Sequence, residues 1–163
     1  MNELAHYSPE DVRVTLGGLS ISGMIEGRFI VVRREELHYK TKSSADGLPT
    51  RSAQNNDLYE VRLYLHSASE SNLDLSLIRD ADKVSHLGLL PLMISDKLGS
   101  TLFFSSTSWV EGEPTVSLGI TVEEREWILR CTGASLVVGG NYRVSSGVED
   151  LSRGIFGSAS SFL

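Results

Sequence analysis

The sequence of 163 residues has one cysteine, few aromatic residues and an excess of acidic over basic side chains. A single cysteine excludes an internal disulfide framework and a zinc site built on cysteines. No apolar run approaches the roughly 18 residues that a transmembrane helix needs. With 15 Lys and Arg against 21 Asp and Glu and no dense basic patch, the chain is a poor candidate for binding nucleic acid, because neutralising phosphates supplies most of that affinity. The 40% of hydrophobic residues excludes wholesale disorder and predicts one globular core.

Motifs of enzymatic chemistry are also missing. The phosphate-binding G-x-x-x-x-G-K-[ST] pattern and the dinucleotide-binding G-x-G-x-x-G pattern do not occur. The stretches 18–22 and 133–137 begin like the G-x-S-x-G nucleophile elbow but lack its last glycine. The four histidines are scattered and never recur at the spacing of four that helical zinc motifs use. We therefore expect no catalytic, metal-binding or cofactor-binding residues.

Alternation of apolar and polar residues predicts β-strands along most of the chain. In the segment 57–66 one face is apolar and the other is mixed, so the second face is expected to pack partly against another element or subunit. The apolar face holds Tyr59, Val61, Leu63 and Leu65. Further strands are predicted at 12–16, 19–21, 29–39, 89–94, 101–110, 116–120, 125–131 and 136–138. Gly119 weakens the strand at 116–120.

One helix is predicted at about 71–82. Its apolar residues recur at spacings of three and four, on the stripe Leu73, Leu77, Ile78, Ala81 and Val84. Ser71, followed by Asp74 three residues later, resembles a capping box. Without the weakened segment 116–120, about seven or eight strands are predicted. They do not alternate with helices, so the predicted fold class is mainly β. We expect an antiparallel β-sandwich or barrel with one flanking α-helix.

Residues 1–148 are predicted to form a single domain, followed by a C-terminal arm at 149–163 that is flexible or contacts another subunit. The arm is rich in Ser and Gly but contains Phe156 and Phe162, for which a solvated tail has no evident use. The polar stretch 40–56, with Asp46-Gly47 near its centre, predicts a long solvent-reaching loop or hairpin.

A few side chains with chemical potential are expected to be structural. Cys131 alternates with Trp127 and Leu129 on an apolar face, which predicts a buried thiol. Trp109 and Trp127 are predicted to be core or interface anchors. The charged run 123–126 is interpreted as the solvated start of a strand, since its neighbours would not raise the pKa of a general acid.

Three groups of residues together resemble one known family. They are YSPEDV at 7–12 with GG at 17–18 and GMIEGRFI at 23–30; ADG at 45–47 with the strand 61–65 and SESN at 69–72; and LMISDKLG at 92–99 with EWIL at 126–129 and GGN at 139–141. In order and spacing they are similar to the inner tail tube proteins of contractile-tailed bacteriophages. That family shares its fold with the tubes of type VI secretion machines. The resemblance covers roughly residues 7 to 141, and SESN departs from the more usual Ser-Pro-Ser-Asn.

The resemblance implies a structural subunit without catalytic activity. Such subunits form hexameric rings that stack head to tail into a tube, and genomic DNA passes through the lumen without specific binding. The implied partners are other copies of this chain, the tail sheath protein, and the baseplate and tail terminator proteins. The implied location is the tail of the virion, assembled in the host cytoplasm.

The resemblance also assigns candidate contact residues. The stretch 40–56 is expected to project from one ring and contact the next through Lys40, Lys42, Asp46, Gly47, Arg51 and Asn55. An acidic lumen would repel DNA phosphates, and Glu60 and Glu126 are candidate lumen acids because they lie on the polar faces of predicted strands. An outer-surface, solubilising role for both glutamates is equally open. Phe156 and Phe162 are candidate subunit contacts.

Two other interpretations remain open. One is a related tail or baseplate protein that initiates or caps the tube as a single ring. The other, in a different class, is a small enzyme or a ligand- or carbohydrate-binding β-sandwich, which requires a concave pocket with converging polar groups.

Overall fold

The computed structural model describes residues 4–5, 7–141 and 143–144. In this part of the chain the strands are β1 (Leu4–Ala5), β2 (Val12–Leu16), β3 (Leu19–Ile21), β4 (Ile30–Arg34), β5 (Tyr39–Ser43), β6 (Pro49–Ala53), β7 (Tyr59–His66), β8 (Leu90–Asp96), β9 (Leu102–Val110), β10 (Glu124–Val137) and β11 (Arg143–Val144). One α-helix, α1 (Ser71–Ser85), follows β7, and a 3₁₀ turn, Pro9–Asp11, precedes β2. The predicted mainly β fold with one flanking helix is confirmed.

The main sheet is antiparallel and has seven strands in the order β3-β2-β8-β9-β10-β7-β4. The strands β5 and β6 form a separate hairpin, and β1 pairs with β11. Within the described residues, β3 and β4 are not hydrogen-bonded to each other, so the sheet does not close into a barrel. Both end strands therefore have one side without a strand neighbour in this part of the chain.

The core lies on one face of this sheet. Tyr59, Val61 and Leu63 of β7 lie opposite Cys131, Leu129 and Trp127 of β10, and all six are buried. Leu65 is buried as well, so the apolar face predicted for 57–66 is confirmed. Burial raises the pKa of the Cys131 thiol to about 12, which confirms the predicted buried thiol.

In both β9 and β10, the alternation of core-facing and outward-facing residues shifts by one residue where the two strands lie side by side. Gly133 adopts φ +61°, in the left-handed region that favours glycine, and interrupts the alternation of β10. The buried Ser105 hydroxyl lies 2.8 Å from the carbonyl oxygen of Thr132 and 2.9 Å from that of Thr107. This shift turns Leu136, beyond the break, toward the core.

The helix begins at the predicted residue but turns another face to the sheet. Leu75 is fully buried, whereas Leu73 is 64% and Leu77 is 58% exposed. Ser71 is buried and its hydroxyl accepts the backbone N–H of Ser22 at 3.0 Å. That contact turns the face of Ser71 and Leu75 inward, so the predicted apolar stripe is mostly solvent-exposed.

The predicted capping box is wrong. The N-cap position is occupied by Glu70, whose side chain makes no capping hydrogen bond. Ser71 lies within the helix instead, and its backbone N–H donates to the Ser69 hydroxyl at 3.2 Å.

Three predicted strand boundaries are also wrong. β4 ends at Arg34, which pairs with Tyr59, the first residue of β7. One more backbone bond follows, from the N–H of Glu35 to the carbonyl of Leu58 at 2.9 Å, before the chain continues toward the hairpin. The predicted strands 125–131 and 136–138 form one strand, β10. Residues 116–120 are not a strand, because alternation alone does not provide a neighbour for the backbone to pair with.

The charged run 123–126 was predicted to be solvated, but Arg125 is buried. Its Nη2 donates to the carbonyl of Ser117 at 3.3 Å.

Candidate assembly surfaces

The polar stretch forms an antiparallel hairpin of β5 and β6 in which every strand residue is exposed. At its tip, the backbone N–H of Gly47 donates to the carbonyl of Ser44 at 2.9 Å. Gly47 has φ +81°, so a side chain at this position would strain the turn. The Arg51 guanidinium lies 4.2 Å from the centre of the Tyr39 ring, in a cation–π contact along one side of the hairpin.

The candidate contact residues of this stretch are all solvent-exposed. Lys40, Lys42, Asp46, Gly47 and Arg51 belong to the hairpin, and Asn55 follows it. Three of the five hairpin residues are cationic and one is anionic, in a chain of net charge −6. The hairpin is therefore a locally basic projection on an acidic protein.

Arg34 fixes the base of the hairpin. Its Nη2 donates to the carbonyl of Asn56 at 2.6 Å, and its Nη1 lies 2.7 Å from Nδ1 of His38. The backbone N–H of Gln54 donates to the carbonyl of His38, which joins the two sides of the base. This role of Arg34 was not predictable from the sequence, since nothing in the alternation of β4 indicates that a core-side arginine reaches the end of the hairpin.

Glu60 lies at the centre of an ion-pair cluster on the face of β7 opposite the core. Its side chain is only 7% exposed, and its carboxylate lies 2.6 Å from Arg62, 3.3 Å from Arg130 and 3.5 Å from Arg33. The hydrogen bond from Arg62, helped by the charge of all three arginines, lowers the pKa of Glu60 although burial opposes this shift. Glu60 is thus a paired carboxylate rather than an open surface acid.

Glu126 belongs to the same cluster. Its Oε1 accepts Arg62 Nη1 at 2.8 Å and lies 3.4 Å from the Tyr64 hydroxyl. On the other side, Arg130 extends the cluster to Glu35 at 3.3 Å and to Glu111 at 3.9 Å. Three arginines and four glutamates therefore form one cluster on and beside neighbouring strands. A lumenal position of Glu60 and Glu126 stays a prediction.

Among the described residues, the exposed large apolar side chains include two groups whose members are close in sequence. One follows α1 and the turn after it, where the exposed residues are Leu73, Leu77, Val84, Leu87 and Leu89. The other lies in the segment between β9 and β10, where the exposed residues are Val116, Leu118, Ile120 and Val122. Groups of exposed apolar side chains are typical of contact sites for other molecules.

An apolar cleft of about 500 Å³ separates β4 from β2. Its walls include Ile30 and Val32 from β4, Val12 from β2, and Phe103 and Leu136 from the middle of the sheet. At one end, Asp96 already accepts the side-chain amide of Asn141 at 3.1 Å and the backbone N–H of Leu98. The cleft is therefore largely apolar, and the carboxylate of Asp96 already accepts hydrogen bonds within the chain.

Across 4–5, 7–141 and 143–144, no group of three or more His, Cys, Asp or Glu residues is arranged to hold a metal ion. The described helix is too short and too polar to cross a membrane. The candidate contact residues Phe156 and Phe162 lie outside the described residues.

The chain is similar in sequence to a phage structural protein. It is 26% identical over 152 residues to the structural protein ORF10 of Pseudomonas phage KPP10, a match that covers 88% of each chain. A scan against protein-family models finds none that matches.

The fold is similar to that of two components of contractile injection systems. The tube-terminating cap of the anti-feeding prophage gives a TM-score of 0.55 at 10% identity and covers 85% of this chain and 95% of that one. A chain of the sheath–tube complex of an extracellular contractile injection system (PVC) gives a TM-score of 0.53 at 12% identity. This match covers 82% of the present chain and 92% of that one. The resemblance predicted from the sequence is confirmed, and the chain shares the fold of these tube-associated proteins.

Proposed function

We propose that this chain is a structural subunit of a contractile phage tail, and specifically a subunit of its inner tube. Hexameric rings of the chain stack head to tail into a hollow conduit through which DNA is ejected. The observation that carries the proposal is the match to a phage structural protein over 88% of both chains, combined with a fold found in injection-system tube and cap components.

The exposed surfaces of the subunit support assembly. Both end strands of the main sheet have an open side among the described residues, and open edges invite pairing with another chain. The apolar side chains of α1 and of the segment before β10 are solvated in the single subunit. Contacts that differ on the two sides of a subunit build rings or open filaments. In the tube, contacts within and between rings pair these strand edges and bury these apolar side chains.

The charge of the subunit suits a conduit rather than a nucleic-acid binder. At −6 per chain, a ring is acidic and repels DNA phosphates, so DNA stays mobile in the lumen. The arginines of the Glu60 cluster are paired with glutamates, which reduces their attraction for phosphate. In this role the chain performs no catalysis, and its partners are the sheath, baseplate and terminator proteins of the virion tail.

A second candidate is a ring that caps or initiates the tube. The observation in its favour is the likeness of the fold to that of the tube-terminating cap, at a TM-score of 0.55. A cap has one ring face that binds the tube and another that does not continue it. A tube subunit has two faces that fit each other.

Sedimentation velocity of the purified chain over a range of concentrations tests the two candidates. A tube subunit gives assemblies that keep growing above a threshold concentration, since every added ring offers a new binding face. A cap gives a species of fixed size. A monomer at every concentration, even with isolated baseplates present, contradicts both candidates and favours a binding module.

A further inference from the structure

The segment 115–122, here called the extended segment, has the pattern of a strand but no strand partner among the described residues. Its apolar residues alternate with the small residues Thr115, Ser117, Gly119 and Thr121. The apolar side chains are exposed by 61% at Val116, 88% at Leu118, 106% at Ile120 and 64% at Val122. An alternation of period two is typical of a strand with one buried face. The surface that buries this face is not supplied by the described part of its own chain.

The main sheet has a site for such a strand beside β4. In the part of the chain that the structure describes, β4 ends the sheet, and its pairing with β7 runs without a bulge. It has no proline, so its outer edge lacks two of the features that protect edge strands. The apolar cleft between β4 and β2 begins at this edge, where Ile30 and Val32 form one wall. A strand added along β4 would place alternate side chains over that cleft.

The charges of the two elements are complementary. Glu113 precedes the extended segment, and Glu123 and Glu124 follow it. Arg28 precedes β4 and is exposed, and the side chain of Arg33, within β4, is 66% exposed. The segment is thus flanked by acidic residues, and the charged residues of the stretch 28–34 are all basic, although Arg33 already contacts Glu60, and Glu26 and Glu35 lie just outside the stretch.

In its own chain the extended segment is held away from the cleft. Glu113 forms ion pairs with Lys83 at 3.2 Å and Arg79 at 3.4 Å, which fix the start of the segment beside α1. The carbonyl of Ser117 accepts Arg125 Nη2 at 3.3 Å. No residue of the segment lines the cleft. These contacts favour insertion into a neighbour rather than into the same subunit.

We propose that the extended segment of one copy adds as a strand to β4 of a second copy and covers the apolar cleft. Val116, Leu118, Ile120 and Val122 point into the cleft, and the small residues face outward. This inference rests on the proposed assembly and identifies one of its contacts. The strand forms only when two copies meet, so the segment is irregular in the single subunit.

The contact is tested with a photo-reactive amino acid in place of Ile120. Assemblies are made from a mixture of ¹⁵N-labelled and unlabelled chains, irradiated, digested and analysed by mass spectrometry. The expected products join residue 120 of one copy to β4 or to Val12 of another copy. The inference is overturned if the assemblies give no cross-link between residue 120 and β4 or Val12 of another copy. Cross-links that form only within one copy, or only to α1 or β3, count as this outcome.

Matched charge substitutions on the two faces of the segment give a second test. Ile120→Asp places a carboxylate over the apolar cleft and is expected to raise the threshold concentration for assembly by about tenfold or more. The control Thr121→Asp adds the same charge to the outward face and is expected to change it by less than about twofold. Both residues are exposed in the subunit, so circular dichroism of dilute protein should match wild type for both variants.

The outcomes separate this inference from the proposed function. Wild-type-like assembly of Ile120→Asp, or an equal loss in both variants, overturns the strand addition and leaves the tube subunit in place. A wild-type chain that stays monomeric in all conditions overturns both.

Discussion

The indole Nε1 of Trp127 donates a hydrogen bond to Oδ1 of Asn72 at 2.9 Å, and this bond joins the middle of the sheet to the first turn of α1. The amide Nδ2 of Asn72 donates in turn to the carbonyls of His66 and Ser69. One side chain therefore fixes the helix on the sheet and the turn that leads into it. With this face held inward, the leucines of the opposite face remain in solvent.

Asn72→Ala is expected to lower the free energy of unfolding by about 1–3 kcal/mol, because it leaves the buried indole N–H of Trp127 without its acceptor. Urea unfolding followed by tryptophan fluorescence measures the loss. The matched control is Ser85→Ala, which removes an exposed hydroxyl bonded to the carbonyl of Ala81 at the other end of the helix. That change is expected to stay within about 0.5 kcal/mol. An Asn72→Ala variant as stable as its control would contradict the anchoring role.

Glu60→Gln tests the ion-pair cluster through its pH dependence. The folded state lowers the pKa of Glu60, so the ionised carboxylate contributes stability that is fully present above its usual pKa range. This contribution is lost as the pH falls through the lowered pKa. At pH 7 the variant is expected to be less stable by about 1–3 kcal/mol, and the difference should shrink on acidification.

Unfolding curves of both proteins between pH 7 and acidic pH measure this difference. Glu36→Gln is the control, since its partner Lys40 is 3.8 Å away and both side chains are well exposed. A wild-type-minus-Glu60→Gln difference that is constant with pH would show that the cluster does not act through the charge of Glu60.

Shortening the hairpin tests its predicted role in ring stacking. Deletion of residues 43–51 leaves Lys40 paired with Ser52 across a connection of two residues, the shortest common hairpin loop. Thr41→Asn and Lys42→Gly in the deleted chain would supply the favoured turn sequence. The variant is expected to fold and form rings but no long tubes, as measured by electron microscopy. Tubes of normal length would show that the hairpin does not connect successive rings.

The sequence predicted those features that depend on local pattern. The apolar face of β7 is correct, since every second residue from Tyr59 to Leu65 packs against β10 or the rest of the core. Cys131 and Trp127 are buried as their alternation with Leu129 indicates. These predictions succeed because a strand with one buried face leaves a period of two in the sequence.

Features that depend on distant partners were not predictable. The orientation of α1 follows from Asn72 meeting Trp127 and Ser71 meeting Ser22, contacts between segments far apart in sequence. The pairing of Glu60 with Arg130 depends on the register of β7 against β10, which alternation does not specify. The period of 116–122 is genuine, but a strand also needs a neighbour.

Electron microscopy of the purified chain, as negatively stained particles at rising protein concentration, tests the central claim most directly. The tube-subunit account predicts hollow tubes whose end views show six-fold rings and whose length grows with concentration. Single rings that never stack would contradict the tube and favour the cap. Monomers at every concentration, including in the presence of isolated baseplates, would contradict a role in building the tail.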